Sequence, residues 1–254
     1  MKNVYFLSDA HLGSRAIQHK RMQERRLVNF LDSIKHKAAA VYFLGDMFDF
    51  WHEYKNVVPK GYTRFLGKVS ELTDLGVEVH YFIGNHDLWM TDYLQRECGV
   101  VLHKGSSVLD IYGKLFYLAH GDGLGTADRK FKILRSVFHN RYCQQLFAAI
   151  HPRWGVDFGL EWARHSRLKR VDGREPEYMG EDKEELICFA KDYLKTHENI
   201  NFFIFGHRHI QLDLMIARET RVLLLGDWIS QFSYVVYDGE HLLLEEFEEG
   251  VSIP

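Results

Sequence analysis

The sequence predicts an α/β protein made of two β-sheets lying face to face, with helices packed outside them. Two observations carry this expectation. The N-terminal part alternates short apolar runs with amphipathic stretches in the order β-α-β-α-β, and strands joined by helical crossovers form parallel sheets with right-handed connections. From about residue 100 the pattern changes to closely spaced short apolar runs, several of them joined by Gly-containing turns.

Val4-Tyr5-Phe6-Leu7 reads as the first strand. Residues 17–34 show helical spacing, with Leu27, Phe30, Leu31 and Ile34 on one face. Residues 41–44 form the next strand, 62–75 a helix and 77–83 a third strand. Further strands are expected at 100–102, 107–111, 115–119, 202–205, 212–217, 222–225, 234–237 and 242–247. Tyr112-Gly113-Lys114 and Asp238-Gly239-Glu240 suit hairpin turns. Between Asp122 and Asn201 no clear strand is evident. The later part of that segment, 181–196, reads as an amphipathic crossover helix that opens on acidic residues, the charge a helix N-terminus favours. The earlier part, 128–171, holds ten Lys/Arg against three Asp/Glu, a local balance of +7 in a chain whose total is −3. It is also rich in large apolar side chains, among them Phe138, Tyr142, Leu146, Trp154, Phe158 and Trp162. We expect one domain, residues 1–254, with a helical cap insertion at about 126–171.

The bulk composition excludes several classes. With 254 residues, 46 % of them hydrophobic and 26 % charged, the chain resembles ordinary globular proteins and can bury a sizeable core. A net charge of −3 gives no field that announces nucleic acid. No apolar run approaches the roughly 20 residues of a membrane-spanning helix, and the N-terminus reaches Asp9 too soon for a secretory signal. Cys98, Cys143 and Cys188 are odd in number and widely spaced, which argues against a disulfide framework or a Cys-ligated zinc and fits reduced thiols in a cytoplasmic protein. The unusual count is histidine, at 15.

Five clusters of metal-type residues follow five of the strands. They are Asp9-Ala10-His11, Gly45-Asp46-Met47-Phe48-Asp49, Gly84-Asn85-His86-Asp87, His120-Gly121-Asp122 and Gly206-His207-Arg208-His209. Ligands of open α/β sheets bind beyond the carboxyl ends of the strands. Carboxylate, imidazole and carboxamide groups suit divalent first-row ions such as Mn²⁺, Fe²⁺ or Zn²⁺. Two ions about 3.5–4 Å apart need a bridging ligand, and Asp46 is the candidate. Singly, each of these residues has a plainer reading. A lone His is usually a surface or satisfied core residue, and an Asp at a strand end is usually a turn former. Asp49, Asp87 and Asp122 fit that role, or that of orienting neighbouring imidazoles. The joint pattern at five strand ends favours the metal reading. The acidic run Glu245-Glu246-Phe247-Glu248-Glu249 reads instead as a solvated sheet edge.

In this order the clusters resemble the signature of the calcineurin-like metallophosphoesterase superfamily, D-x-H, G-D-x-x-D, G-N-H-D/E, a later H, and G-H-x-H. The resemblance spans Asp9 to His209 and implies a four-layer αββα sandwich of two mixed β-sheets. It also implies one metal held by Asp9, His11, Asp46 and His209, and a second held by Asp46, Asn85, His120 and His207. His86 would be the acid that protonates the leaving group or stabilises developing charge, with Asp87 orienting it. Two divalent cations, Mn²⁺ before Fe²⁺ or Zn²⁺, would be the cofactors.

Within that superfamily the chain is most similar to the UDP-2,3-diacylglucosamine pyrophosphohydrolases of lipid A synthesis. His120-Gly121-Asp122-Gly123-Leu124-Gly125-Thr126-Ala127-Asp128 resembles their H-G-D-x-L-x-T-x-D segment, and Arg164-His165-Ser166-Arg167 resembles the end of their lid. The likeness implies hydrolysis of a glycolipid nucleotide to UMP and a diacylglucosamine 1-phosphate. It implies substrate contacts from Asn85, Asp128, Arg129, Ser166 and Arg167. It also implies a cytoplasmic location, peripheral to the cytoplasmic face of the inner membrane, with no nucleic acid and no obligate protein partner. Many members of that family read G-N-R-D where this chain has Gly84-Asn85-His86-Asp87. A soluble phosphoesterase acting on a nucleotide, a phosphoprotein or another small ester is the alternative. A non-catalytic module would be expected to show broken ligand sets, and here they are intact.

Overall fold

The computed structural model describes residues 1–125, 136–138, 140–170 and 177–249, the side chains of 166–170 excepted. Among these residues the elements run β1 (Asn3–Leu7), α1 (Lys20–Ile34), β2 (Ala38–Phe43), α2 (Thr63–Asp74), β3 (Glu78–Phe82), α3 (Tyr93–Cys98), β4 (Val101–His103), β5 (Ser107–Ile111) and β6 (Lys114–Ala119). After them come α4 (Arg141–Ala148), α5 (Pro152–Arg170), α6 (Glu185–Leu194), β7 (Phe202–Phe205), β8 (Gln211–Ala217), β9 (Thr220–Leu225), β10 (Ser233–Tyr237) and β11 (Leu242–Glu246).

Because successive side chains of a strand point to opposite faces, the continuous apolar runs bury both faces and need two partners each. In β1, Val4 and Phe6 face the second sheet, while Tyr5 and Leu7 face helices. The six-stranded sheet has the order β11-β10-β1-β2-β3-β4, and the five-stranded sheet β5-β6-β7-β9-β8. Between them Val4, Phe6, Tyr42, Leu44 and Phe82 meet Phe116, Leu118, Ile204, Leu223 and Leu225. Phe6 and Phe116 stack across this layer at 5.6 Å. Outside the first sheet lie α1, α2 and α3 through Leu27, Phe30, Phe65, Val69 and Leu94. Outside the second lies α6 through Leu186, Ile187 and Ala190. Each such buried side chain contributes on the order of 1.5–3 kcal/mol by leaving water. The result is the expected αββα arrangement. The expected sheet edge is also present, since β11, which ends in Glu245 and Glu246, is the outermost strand of its sheet.

Two details differ from the expectations. Helix α3 was not anticipated, because six residues are too few to show a period, although Gly99 at φ +67° is the left-handed stop that ends it. Helix α6 starts at Glu185 rather than 181, since Glu184 is turned away to hold Arg208. Within the segment expected to be a cap, α4 and α5 are described. Asn140 caps α4 by accepting the Tyr142 and Cys143 amides at 2.9 and 3.3 Å.

Helices α4 and α5 rest on the loops after β2 and β3. Phe147 packs on Trp89 and His52, with ring centres 4.4 and 5.1 Å away. Trp89 donates its indole N–H to the Phe138 carbonyl at 2.9 Å. Gly159 lies so close to Phe50 that an added Cβ would sit 2.3 Å from its ring. Arg15 pairs with Asp157 and with Glu161 of α5. Yet Tyr142, Leu146, Trp154, Phe158 and Trp162 are half or more exposed.

Candidate metal centre

Strands β1, β2 and β3 run parallel, as do β6, β7 and β9. Their carboxyl ends therefore open on one rim, where the two sheets meet. The loops there turn too tightly for ordinary backbone. Asp9, His11, Asp46, His207 and His209 all have φ between 44° and 67°, a left-handed conformation that costs a non-glycine residue on the order of 1–3 kcal/mol and is held only where the surroundings dictate it. Two glycines make the close approach possible. A Cβ on Gly45 would lie 2.6 Å from His120 Nδ1, and one on Gly206 would lie 2.6 Å from Asp9 Oδ2.

The side chains converge in two overlapping groups. In the first, His11 Nε2 and His209 Nε2 are 3.2 Å apart, and Asp9 Oδ1 is 3.6 Å from one and 3.3 Å from the other. In the second, His120 Nε2 lies 3.3 Å from both Asp46 Oδ2 and Asn85 Oδ1, with His207 completing the group. Asp46 Oδ2 is also 3.8 Å from His11 Nε2, so one oxygen faces both groups. Its other oxygen is occupied, accepting the His86 amide at 2.8 Å. Asp9, His11, Asp46 and His120 are buried and form the floor, while Asn85, His86, His207 and His209 are partly exposed and form the mouth.

The far side of each group is pinned. Asp9 Oδ2 accepts from Ser8 Oγ at 2.6 Å and from the His207 amide at 2.9 Å. His120 Nδ1 donates to the Leu44 carbonyl at 2.8 Å. His11 Nδ1 faces Asp49 Oδ1 at 3.3 Å. His86 Nδ1 faces the Asp49 carbonyl at 3.0 Å; a carbonyl only accepts, so the proton is on Nδ1.

Burial works against charge throughout this rim, and the neighbouring groups decide the outcome. At Asp9 the His209, His11 and His120 imidazoles outweigh burial and hold the carboxyl well below its usual range. At His120 burial is outweighed by Asp46, Asp9 and Asp122, which raise it well above the usual imidazole value. His209 rises to about 9 for the same reason, through Asp9 and Asp227. His86 goes down, chiefly by burial. Asp87 is pushed up to about 6 by burial and by the nearby Asp46 charge.

Two divalent cations fit these residues. Donor atoms about 2.0–2.2 Å from a shared ion lie roughly 2.8–3.6 Å apart at octahedral to tetrahedral angles, a range that covers the 3.2–3.6 Å separations of the first group and the 3.3 Å separations of the second. Asp9 Oδ1 is buried without a hydrogen-bond donor, an arrangement that is costly unless a cation faces it.

The sequence model of calcineurin-like phosphoesterases fits residues 2–211 of the chain. The chain belongs to this family. Calcineurin-like phosphoesterases use a dimetal centre, and the chain is a metal-dependent hydrolase. A "UDP-2,3-diacylglucosamine hydrolase" of Porphyromonas gingivalis is 46 % identical over 256 residues, covering 97 % of this chain and 98 % of the relative. Proteins of the same name from Neisseria meningitidis serogroup C and Vibrio cholerae are 29 % and 30 % identical, covering 98 % and 92 % of this chain and 100 % and 94 % of the relatives.

All seven side chains expected as ligands, and His86, come together at the rim. Asp87 does not reach His86 as expected. Its carboxylate accepts from the Gly84 amide and the Tyr81 hydroxyl, because the turn at residues 84–87 folds it back towards β3. Asp49 takes the place next to His86. Asp128 and Arg129 lie outside the described residues. Ser166 and Arg167 fall within α5, and their side chains lie outside the description. Sequence reasoning missed Asp227, whose Oδ2 is 3.2 Å from His209 Nδ1. The readable signal was Gly226-Asp227 directly after an apolar strand, the same punctuation that precedes Asp46.

Proposed function

We propose that the chain hydrolyses the diphosphate of UDP-2,3-diacylglucosamine, releasing UMP and 2,3-diacylglucosamine 1-phosphate, a step of lipid A synthesis. The observation that carries this reading is the 46 % identity to the Porphyromonas gingivalis protein of that activity, along essentially both chains. The reading makes residues 1–254 a single domain with a helical cap insertion at about 126–171. Asp9, His11, Asp46 and His209 would hold one cation, and Asp46, Asn85, His120 and His207 the other, with the Asp46 carboxylate shared. Mn²⁺ suits this mixed oxygen and nitrogen set, and Fe²⁺ or Zn²⁺ would be accepted too.

When bound, two such cations supply Lewis acidity to the phosphoryl oxygens and lower the pKa of the attacking water. The chain supplies the rest. The buried floor excludes bulk water, and the mouth at Asn85, His86, His207 and His209 admits the diphosphate from one side. His86 presents Nε2 to the leaving side, since its Nδ1 is committed to Asp49. Bringing anionic phosphate beside it favours the protonated ring, which donates as the leaving oxygen gains charge. Asp87 fixes the turn that carries Asn85 and His86. Asp128, Arg129, Ser166 and Arg167, together with Asn85, are the proposed substrate contacts.

The exposed aromatic and aliphatic side chains of α4 and α5 support a chain that works at the cytoplasmic face of the inner membrane as a peripheral protein. No described helix is long and apolar enough to cross a membrane. The test is Mn²⁺-supported hydrolysis of UDP-2,3-diacylglucosamine in detergent, with bis-p-nitrophenyl phosphate alongside. UMP release far faster than diester cleavage is expected. Cleavage of the diester alone would discard the lipid substrate and leave a soluble phosphoesterase of small esters.

A further inference from the structure

The loop after β9, residues 226–231, holds a buried carboxylate, Asp227, against one metal-type residue, His209. Asp227 is 5 % exposed. Its Oδ1 accepts the amides of Ile229, Ser230 and Gln231 at 2.9, 2.8 and 3.1 Å, so the carboxylate cannot turn. Its Oδ2 faces His209 Nδ1 at 3.2 Å, and the Ser230 hydroxyl donates to the same carboxylate at 3.3 Å on Oδ1 and 3.5 Å on Oδ2. The same loop holds the His209 backbone, through Gln231 Nε2 on the His209 carbonyl at 2.9 Å. It also holds Asp9, because the Trp228 amide donates to the Asp9 carbonyl at 3.2 Å. Gln23 then ties Trp228 to Ala10 by donating to both carbonyls. The loop thus touches Asp9 and His209, which belong to one cation group and not to the other.

The three buried imidazole contacts at this rim differ in what stands behind them. His120 has a neutral carbonyl behind Nδ1, and His11 has Asp49, a carboxylate that His86 shares. His209 is a mouth residue with left-handed backbone and no strand to hold its ring, and it has a carboxylate of its own. A carboxylate behind an imidazole fixes the proton on the near nitrogen, frees the far lone pair and makes that lone pair more basic, which typically changes metal affinity by 10–100-fold.

We infer that Asp227 is the positioning residue for His209, selecting its Nδ1–H form so that Nε2 serves the cation it shares with Asp9 and His11. This rests on the dimetal reading of the rim. It makes the 226–231 loop part of the metal site although it donates no ligand.

The experiment is Mn²⁺ titration of the full chain by calorimetry, comparing wild type, Asp227→Asn, His209→Gln and the Asp227→Asn/His209→Gln double variant. The asparagine keeps a carbonyl oxygen for the three amides while losing the charge. One binding step should weaken roughly 10–100-fold in Asp227→Asn, and the other should stay within about 2-fold. Adding Asp227→Asn to His209→Gln should cost nothing further, because coupled residues are not additive. Two steps of wild-type affinity in Asp227→Asn, or equal weakening of both steps, overturns the role of Asp227 alone. A wild-type chain that takes up fewer than two ions overturns the dimetal reading as well. Should Asp227→Asn fail to fold, ¹⁵N NMR of the Zn²⁺-loaded wild type decides. A proton on Nδ1 of His209 is expected, and one on Nε2 refutes the inference.

Discussion

The rim of the sandwich and the helices α4 and α5 obey opposite rules of burial. At the rim, groups that water would solvate are buried: Asp9, His11, Asp46 and His120 are nearly inaccessible, and each is held by a named amide, hydroxyl, carbonyl or carboxylate. In α4 and α5, groups that water rejects are exposed: Tyr142, Leu146, Trp154, Phe158 and Trp162 present at least half their surface. Soluble proteins rarely leave a large continuous apolar patch uncovered without a use for it. A rim so fully determined by its own hydrogen bonds needs no substrate to shape it. Among the described residues nothing covers the outer face of the helices, and under the proposed activity that face meets a lipid. On that reading chemistry and substrate capture reside in different parts and can be broken separately.

The largest effect is expected at Asp46. Asp46→Ala removes the oxygen that faces both groups, so metal analysis should find both ions lost and turnover down by about 10³-fold or more on lipid and generic diester alike. Retention of two ions would refute the bridging assignment. His86→Ala should keep both ions and lower turnover by roughly 10²–10⁴-fold, the usual share of a positioned acid. If metal content falls with the rate, His86 is a ligand, as its closeness to His11 and Asp46 allows. The smallest effect tests the other half of the comparison. Gly159→Val forces α5 away from Phe50, an overpacking worth about 1–3 kcal/mol. It should lower lipid hydrolysis several-fold while bis-p-nitrophenyl phosphate cleavage stays near wild type. Equal loss of both activities would show that the helices and the rim act as one unit.

The two halves also differed in how far the sequence disclosed them. The parallel strands were legible because each is buried on both faces and so reads as an unbroken apolar run. The rim residues were legible because each cluster directly follows such a run, which makes a local signal of a distant convergence. What escaped depended on contacts the chain order hides. Asp227 meets His209 because β9 pairs with β7, a neighbour relation that no spacing encodes. Asp87 stands beside His86 in sequence, and the turn at residues 84–87 sends its carboxylate back to Tyr81, leaving Asp49 to meet the ring. Helix α3 was too short for periodicity. In α4 and α5 the large apolar side chains were visible, but which of them would be covered was not, since that depends on contacts with Phe50, His52 and Trp89 far away in the sequence.

The left-handed backbone at Asp9, His11, Asp46, His207 and His209 has a thermodynamic corollary. A chain that crowds buried carboxylates into strained turns folds against itself until cations arrive, so binding energy and folding energy are the same quantity. By mass action, an ion present at 100 times its dissociation constant adds about 2.7 kcal/mol to the folded state. Thermal melting should therefore rise on Mn²⁺ loading and fall on chelation by several degrees. In a cell short of the metal, the protein would lose abundance as well as activity, because the unfolded fraction exposed to proteolysis grows as the ions leave.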